Sequence, residues 1–316
     1  MENNNDAISY KLLALNTCLA VSIILMVFAI YGSIQKPIME RKETEKHIIN
    51  SKIFTNLKLQ AKAVYVYDVS EHKVIFQKNE TTQLPLASLT KLMTALTAID
   101  LAPKNSQITI RKVFLQEEGD SGLKDGEVWS MKDLIDFSLI VSSNDGARSL
   151  ASVIGARLLK TDNFDIGRAD FIKKMNERGV SIGLKQSYFI NESGLDTTPS
   201  QSGAYGSAED VSTLVEYIMK NNPEILEATK LSVDSISSLS KIHNAQNTNI
   251  DIGKIPNLIA SKTGYTDLAG GNLVVAFDAS IGRPVIIVVL GSTQDGRFTD
   301  VMDLASTTMQ YARESN

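Results

Sequence analysis

Cysteine is nearly absent: the 316 residues contain one, Cys18. No intrachain disulfide can form, so a chain of this length has to rely on an apolar core. Histidine is scarce as well. His47, His72 and His243 stand far apart, and neither His-Glu-x-x-His nor Cys-x-x-Cys occurs, which argues against a metal site. A net charge of −4 with no basic cluster argues against nucleic acid as a partner. There is no internal repeat and no low-complexity tract. Hydrophobic content of 43% and charged content of 22% are those of an ordinary globular chain.

One stretch lacks charge altogether. Residues 12–35 carry no charged side chain, and Val21-Ser22-Ile23-Ile24-Leu25-Met26-Val27-Phe28-Ala29-Ile30 is almost wholly apolar. At about 1.5 Å per residue, roughly 20 residues cross a hydrocarbon core of about 30 Å. The stretch is long enough to span. A cleaved secretory signal has a shorter apolar region and a small-x-small exit site; Ala29-Ile30-Tyr31-Gly32 offers no good one, so an uncleaved anchor is expected. Cys18 lies inside the span behind Leu15-Asn16-Thr17, without the small residues of a lipoprotein site. Charge leaves sidedness open. Lys11 precedes the span, while Lys36, Arg41, Lys42, Lys46 and Lys52 follow it, mixed with Glu40, Glu43 and Glu45. Taken alone, the positive-inside rule would place the following domain in the cytoplasm.

Beyond the span, residues 36–57 are charged and lack strong periodicity, as a stalk does. The β-rich runs Ala63-Val64-Tyr65-Val66-Tyr67-Asp68 and Val74-Ile75-Phe76-Gln77-Lys78 form a plausible hairpin. Leu89, Leu92, Met93, Leu96 and Ile99 keep helical spacing from a start near Ser88. A short strand is expected over residues 107–110, and helical patterns over residues 131–159, 169–178 and 208–220. Strands return over residues 257–262, 272–277 and 285–290, and a final helix over 298–311. Strands at both ends with helices between them predict an α+β domain: an antiparallel sheet flanked by helices, with an inserted all-helical lobe.

Three short motifs carry the chemistry. Ser88 and Lys91 in Ser88-Leu89-Thr90-Lys91 lie three apart at a helix start and so share a face. Serine needs a base within hydrogen-bond reach, and a lysine amine serves if burial and nearby cations lower its pKa. Exposed N–H groups at the helix start would stabilise developing negative charge. In Ser142-Ser143-Asn144, Ser142 could relay a proton and the Asn144 amide could hold a peptide group; both could equally cap the next helix. Lys262-Thr263-Gly264 is expected to end a strand. Lys262 and Thr263 could receive a carboxylate, Gly264 would let a substrate backbone lie close, and the N–H of Tyr265 with that of Ser88 could form an oxyanion hole. Ser-x-x-Lys alone arises by chance roughly once in such a chain. Order, spacing and flanking residues supply the weight.

In these segments the chain resembles the D-alanyl-D-alanine carboxypeptidases of the low-molecular-mass penicillin-binding proteins. The resemblance covers roughly residues 60–313. It is carried by Leu84-Pro85-Leu86-Ala87-Ser88-Leu89-Thr90-Lys91-Leu92-Met93-Thr94-Ala95, Ser143-Asn144-Asp145-Gly146-Ala147, Asn191-Glu192-Ser193-Gly194-Leu195-Asp196 and Lys262-Thr263-Gly264-Tyr265-Thr266-Asp267-Leu268-Ala269-Gly270-Gly271-Asn272-Leu273-Val274. It implies that Ser88, deprotonated by Lys91, attacks the carbonyl between the last two D-alanines of a peptidoglycan stem peptide. The leaving D-alanine would be protonated through Ser142 and Lys262. Lys262 and Thr263 would take the terminal carboxylate and Asn144 the substrate amide, and β-lactams would acylate Ser88. No cofactor is implied.

That substrate lies outside the cytoplasm, which overrules the charge rule. The expected organisation is a cytoplasmic tail over 1–11, a transmembrane anchor over 12–35, a stalk over 36–57 and an extracytoplasmic catalytic domain over 58–316, held at a bacterial cell membrane by its single span. Many members of the family carry an extra C-terminal β-domain with an amphipathic membrane helix; here the N-terminal anchor is expected to replace that tether. Glu192 stands in Glu-x-x-Leu-Asp, close to a class A β-lactamase pattern, but its frame is that of the peptidases and it is expected to be an ordinary loop residue. A DD-endopeptidase would use the same residues and is the main alternative, ahead of a β-lactamase or a penicillin sensor.

Overall fold

The computed structural model describes residues 53–119 and 121–315, together with Ile24 and Met26. The chain divides into Met1–Thr55 and Asn56–Asn316; the second unit carries everything below. Among the described residues no helix is long and apolar enough to cross a membrane. The expected tail, the expected span (Ile24 and Met26 apart) and most of the expected stalk lie outside the described residues.

Strands β1 (Ala63–Asp68) and β2 (Lys73–Lys78) form the expected hairpin. Then come β3 (Leu84–Pro85), α1 (Thr90–Leu101), β4 (Gln107–Thr109), β5 (Val128–Ser130), α2 (Met131–Ile140), α3 (Asn144–Leu159) and α4 (Phe164–Ser181). They are followed by β6 (Tyr188–Phe189), β7 (Ala204–Gly206), α5 (Ala208–Asn221), β8 (Val233–Ser237) and β9 (Ile242–Gln246). The meander β10 (Leu258–Thr266), β11 (Gly270–Ser280) and β12 (Arg283–Ser292) leads into α6 (Gly296–Glu314). The main sheet runs β10-β11-β12-β1-β2, antiparallel throughout, so the last strands of the unit pair with its first.

Both faces of this sheet are covered, and that explains the unbroken apolar runs in β11 and β12. Val274, Ala276, Ile286, Val288 and Leu290 join one core cluster with residues of α1, α2 and α5. The alternate positions Val275, Phe277, Val285, Ile287 and Val289 are equally buried, on the face where α6 packs against β11 and β12. Helix α1 is buried nearly all round from Thr90 to Ala98, as a helix threading a core must be. Hydroxyl caps start the next helices: Ser130 Oγ accepts the Asp133 N–H, and Ser207 Oγ accepts that of Asp210.

The α+β class is as expected, but the inserted lobe is not wholly helical. It holds the pairs β4–β5 and β8–β9 and the small sheet β3-β7-β6. These strands are two to five residues long. The β8–β9 hairpin alternates exposed and buried positions, with Val233 and Ile242 among mostly polar residues on its outer face, so it lacks the apolar runs that mark the main sheet.

Candidate active site

Ser88 sits in a tight turn, Ala87–Leu89, immediately before α1. Lys91 lies on the first turn of α1 and is 2% exposed. Its amine meets Ser88 Oγ at 2.7 Å, Asn144 Oδ1 at 2.6 Å and the Ser193 carbonyl at 3.0 Å. Burial pushes its pKa down to about 7, against smaller opposing effects of Glu192 and Glu117. An amine so placed is half neutral near pH 7 and in contact with the hydroxyl it would deprotonate.

The turn between α2 and α3 resolves the capping alternative. Ser143 is the N-cap of α3, its Oγ accepting the Gly146 N–H. Its neighbours are thereby free for other work. Ser142 Oγ accepts from Lys262 Nζ at 2.9 Å, while Asn144 spans from Lys91 to the Glu118 carbonyl, to which its Nδ2 donates at 2.7 Å. The backbone is strained on both sides of the site: Ala87 has φ 47° and Ser142 φ 61°, values that side-chain-bearing residues seldom adopt.

Lys262, Thr263 and Gly264 do not end their strand, as the sequence suggested, but lie within β10, which pairs with β11 as far as Thr266↔Gly270. The chain reverses only at Asp267-Leu268-Ala269, because Asp196 accepts from Thr266 Oγ1 and the Leu268 N–H and pins the turn there. Lys262 is 2% exposed. Its pKa is held well below the ordinary value by burial, then by the charges of Lys91 and Arg297. Gly264 packs against the nucleophile segment: a Cβ there would lie 3.0 Å from the Leu86 carbonyl oxygen and 3.2 Å from Ser88 N. The Tyr265 backbone follows beside it, and the Tyr265 side chain is exposed.

Three contributors lie outside the eight residues to which the sequence assigned chemistry. Arg297, in the first turn of α6, donates from Nη1 to the Gly264 carbonyl at 2.7 Å and is 8% exposed; burial lowers its pKa, but a guanidinium stays charged. Thr248 Oγ1 lies 2.6 Å from Thr263 Oγ1. Asn272 donates to the Pro85 carbonyl at 3.0 Å and accepts the Gly291 N–H at 2.8 Å, tying the nucleophile segment to β11 and β12. Glu192, expected to be an ordinary loop residue, is completely buried and bonded to Arg168. A cleft of about 650 Å³ opens beside the site, lined by Asn144, Asp196, Thr198, Tyr265 and Asp267 among others.

All eight residues singled out in the sequence thus come from three elements that meet at one place. Residues 50–294 match the sequence profile of D-alanyl-D-alanine carboxypeptidases. The chain belongs to that family. It is 27% identical over 256 residues to the D-alanyl-D-alanine carboxypeptidase DacF of Bacillus subtilis, covering 78% of this chain and 62% of that relative's length. It is 29% identical over 218 residues to a D-alanyl-D-alanine endopeptidase of Haemophilus influenzae, covering 68% of this chain and 69% of the other. Among solved structures it is similar to penicillin-binding protein D2 of Listeria monocytogenes in its ampicillin-bound form. There the identity is 30% and the TM-score 0.67, with 80% of this chain and 99% of that one covered.

Proposed function

We propose that the chain is a serine-type D-Ala-D-Ala carboxypeptidase that removes the terminal D-alanine from peptidoglycan stem peptides and is acylated by β-lactams. The observation that carries the reading is the contact of a buried lysine amine, its pKa lowered by burial, with Ser88 Oγ, beside a second lysine in contact with Ser142. Ser88 Oγ attacks the carbonyl carbon of the penultimate D-alanine and its proton passes to Lys91. The oxyanion is held by the N–H groups of Ser88 and Tyr265. As the C–N bond breaks, the proton taken up by Lys91 is returned to the leaving amine through Lys262 and Ser142, and water then hydrolyses the Ser88 ester, its hydroxyl going to the acyl carbon and its proton back to Ser88 Oγ.

Asn144, already bonded to Lys91, offers its amide to the peptide. The terminal carboxylate falls to Thr263 and Arg297. A permanently charged guanidinium suits a fixed anion receptor better than an amine whose pKa burial and two neighbouring cations depress, so Lys262 is the relay first and a carboxylate ligand second. The uncharged residues 12–35 support a single-pass anchor with residues 58–316 on the extracytoplasmic face.

The test is D-alanine release from diacetyl-Lys-D-Ala-D-Ala by the full chain, with Ser88→Ala alongside. Release that the substitution abolishes is expected. Acylation of Ser88 by penicillin without D-alanine release, accompanied by cleavage of cross-linked dimers, would transfer the assignment to a DD-endopeptidase, the activity in the name of the Haemophilus relative.

A further inference from the structure

We propose that Glu192, held by Arg168, is a positioning residue that sets the protonation of Lys91 and hence the pH at which Ser88 becomes nucleophilic. This rests on the serine acyl-transfer reading above. Glu192 is completely buried, and nothing in the mechanism uses its carboxylate. Its two oxygens each accept from Arg168 Nε at 2.9 Å. A buried carboxylate is costly unless paired, and an amide or an apolar side chain would close the same loop at lower cost. The charge itself therefore needs a reason, and its surroundings supply one.

The loop of Glu192 is clamped to the catalytic face of α1 at two points. The Glu192 carbonyl accepts from Thr94 Oγ1 at 2.6 Å, and the Ser193 carbonyl accepts from Lys91 Nζ at 3.0 Å. Lys91 and Thr94 lie one turn apart on one helix face, so the carboxylate is fixed relative to the amine. Asn191 stiffens the same loop, its Oδ1 accepting the Ser193 and Gly194 N–H groups at 3.2 and 2.7 Å.

The charged groups around Lys91 come from every packed element. Glu117 precedes α3 and pairs with Arg148; Asp145, at the start of α3, accepts the Glu117 N–H at 3.3 Å. Lys262 and Arg297 stand on the β10 side, and Glu192 and Arg168 on the α4 side. Burial drives the Lys91 amine toward its neutral form, and among the groups that oppose this Glu192 ranks first and Glu117 second. Both Glu192 oxygens are taken up by Arg168, which leaves the carboxylate no contact with a substrate.

The experiment follows acylation of Ser88 by a fluorescent penicillin from pH 5 to 9 in the full chain and in Glu192→Gln. Loss of the anion makes the ammonium form of Lys91 less favourable. The half-maximal pH is expected to fall by about one unit, the size of effect one nearby opposite charge exerts, and acylation at pH 6 to rise severalfold relative to the plateau. Should Glu192→Gln fail to fold, as judged by thermal unfolding, the double variant Arg168→Gln/Glu192→Gln replaces it; because the opposing charge of Arg168 goes too, the half-maximal pH is expected to fall by less than in the single variant, and a rise overturns the proposal. A merely structural role would lower the plateau and the melting temperature and leave the half-maximal pH in place. An unmoved or raised half-maximal pH in a folded variant overturns the proposal. A parent chain that penicillin never acylates overturns instead the acyl-transfer reading on which it stands.

Discussion

Consider Ser88 acylation as a function of pH, with Lys91, among the described residues, the only base in contact with the hydroxyl. A lysine at its ordinary value of 10.5 is neutral in roughly one molecule in three thousand at pH 7. At about 7, where burial places Lys91, half the molecules carry a neutral amine. The gain in competent base is roughly a thousandfold, or about 4 kcal/mol in the population term. The second-order rate of acylation by a fluorescent penicillin should therefore climb about tenfold per pH unit below 7 and level off above about 8. A limb centred near pH 10, or a flat profile, would refute the assignment of Lys91 as base. The same shift has a consequence for stability that needs no substrate. Because the folded-state pKa lies below the unfolded one, the unfolded chain binds more protons between about 7 and 10.5, and stability must rise with pH across that window. Lys91→Met removes this contribution. The melting temperature of the variant relative to the parent should be highest below pH 7 and decline toward pH 10.5.

Arg297→Gln removes the permanent cation bonded to the Gly264 carbonyl. It should cost about a hundredfold in kcat/KM on the D-Ala-D-Ala tripeptide, with turnover of a C-terminally amidated analogue nearly unchanged. Thr248→Val takes away the hydroxyl 2.6 Å from Thr263 Oγ1. If Thr248 turns the Thr263 proton toward the substrate carboxylate, KM rises about fivefold, the worth of one hydrogen bond, and Thr248→Ser restores it. Gly194→Ala puts a Cβ 1.9 Å from the Ala87 carbonyl oxygen at φ 80°, directly behind the nucleophile turn. Acylation should drop by at least about tenfold and the melting temperature by several degrees, both measured on the purified chain.

How far the site could be read from the sequence follows from what each residue does. Ser88 with Lys91, Ser142 with Asn144, and Lys262 through Tyr265 are short-range groupings whose chemistry demands particular residue types a few positions apart, so spacing and flanking residues reveal them. Arg297 reaches Gly264 from 33 positions away, across two hairpins of the meander β10-β11-β12, and no local pattern distinguishes it from a surface arginine at a helix start. Thr248, in the loop after β9, is a similar case; Asn272 stands inside the quoted run from Lys262 to Val274, but only the fold shows that it ties Pro85 to Gly291. The main sheet was legible because both its faces are covered and its central strands read as unbroken apolar runs. The β8–β9 hairpin was not, because its outer face is exposed and mostly polar, Val233 and Ile242 apart. The burial of Glu192 was hidden for a different reason: a glutamate in a loop is usually solvated, and only the tertiary pairing with Arg168 from α4 allows it to be buried.

Two buried lysines, a buried guanidinium and two side-chain-bearing residues at positive φ occupy one small volume. Each opposes folding, and none is needed to build the sheet or the helices around it. Local strain and desolvated charge persist only where the surroundings over-determine them. Here those surroundings are the fully buried α1, the doubly covered sheet and the Asn272 link between Pro85 and Gly291. The same reasoning makes the depressed amines a consequence of architecture rather than of any single neighbour. Lys91 loses solvent because α1 runs through the core, and Lys262 because its register partner Val274 faces that same core. A substitution that relaxes the site, such as a glycine at Ala87 or an apolar residue at Lys91, should stabilise the fold while disabling the chemistry. Stability and acylation would then move in opposite directions at these positions, and together at Gly194 and Asn272, where the residue supports the strained turn instead of bearing the strain.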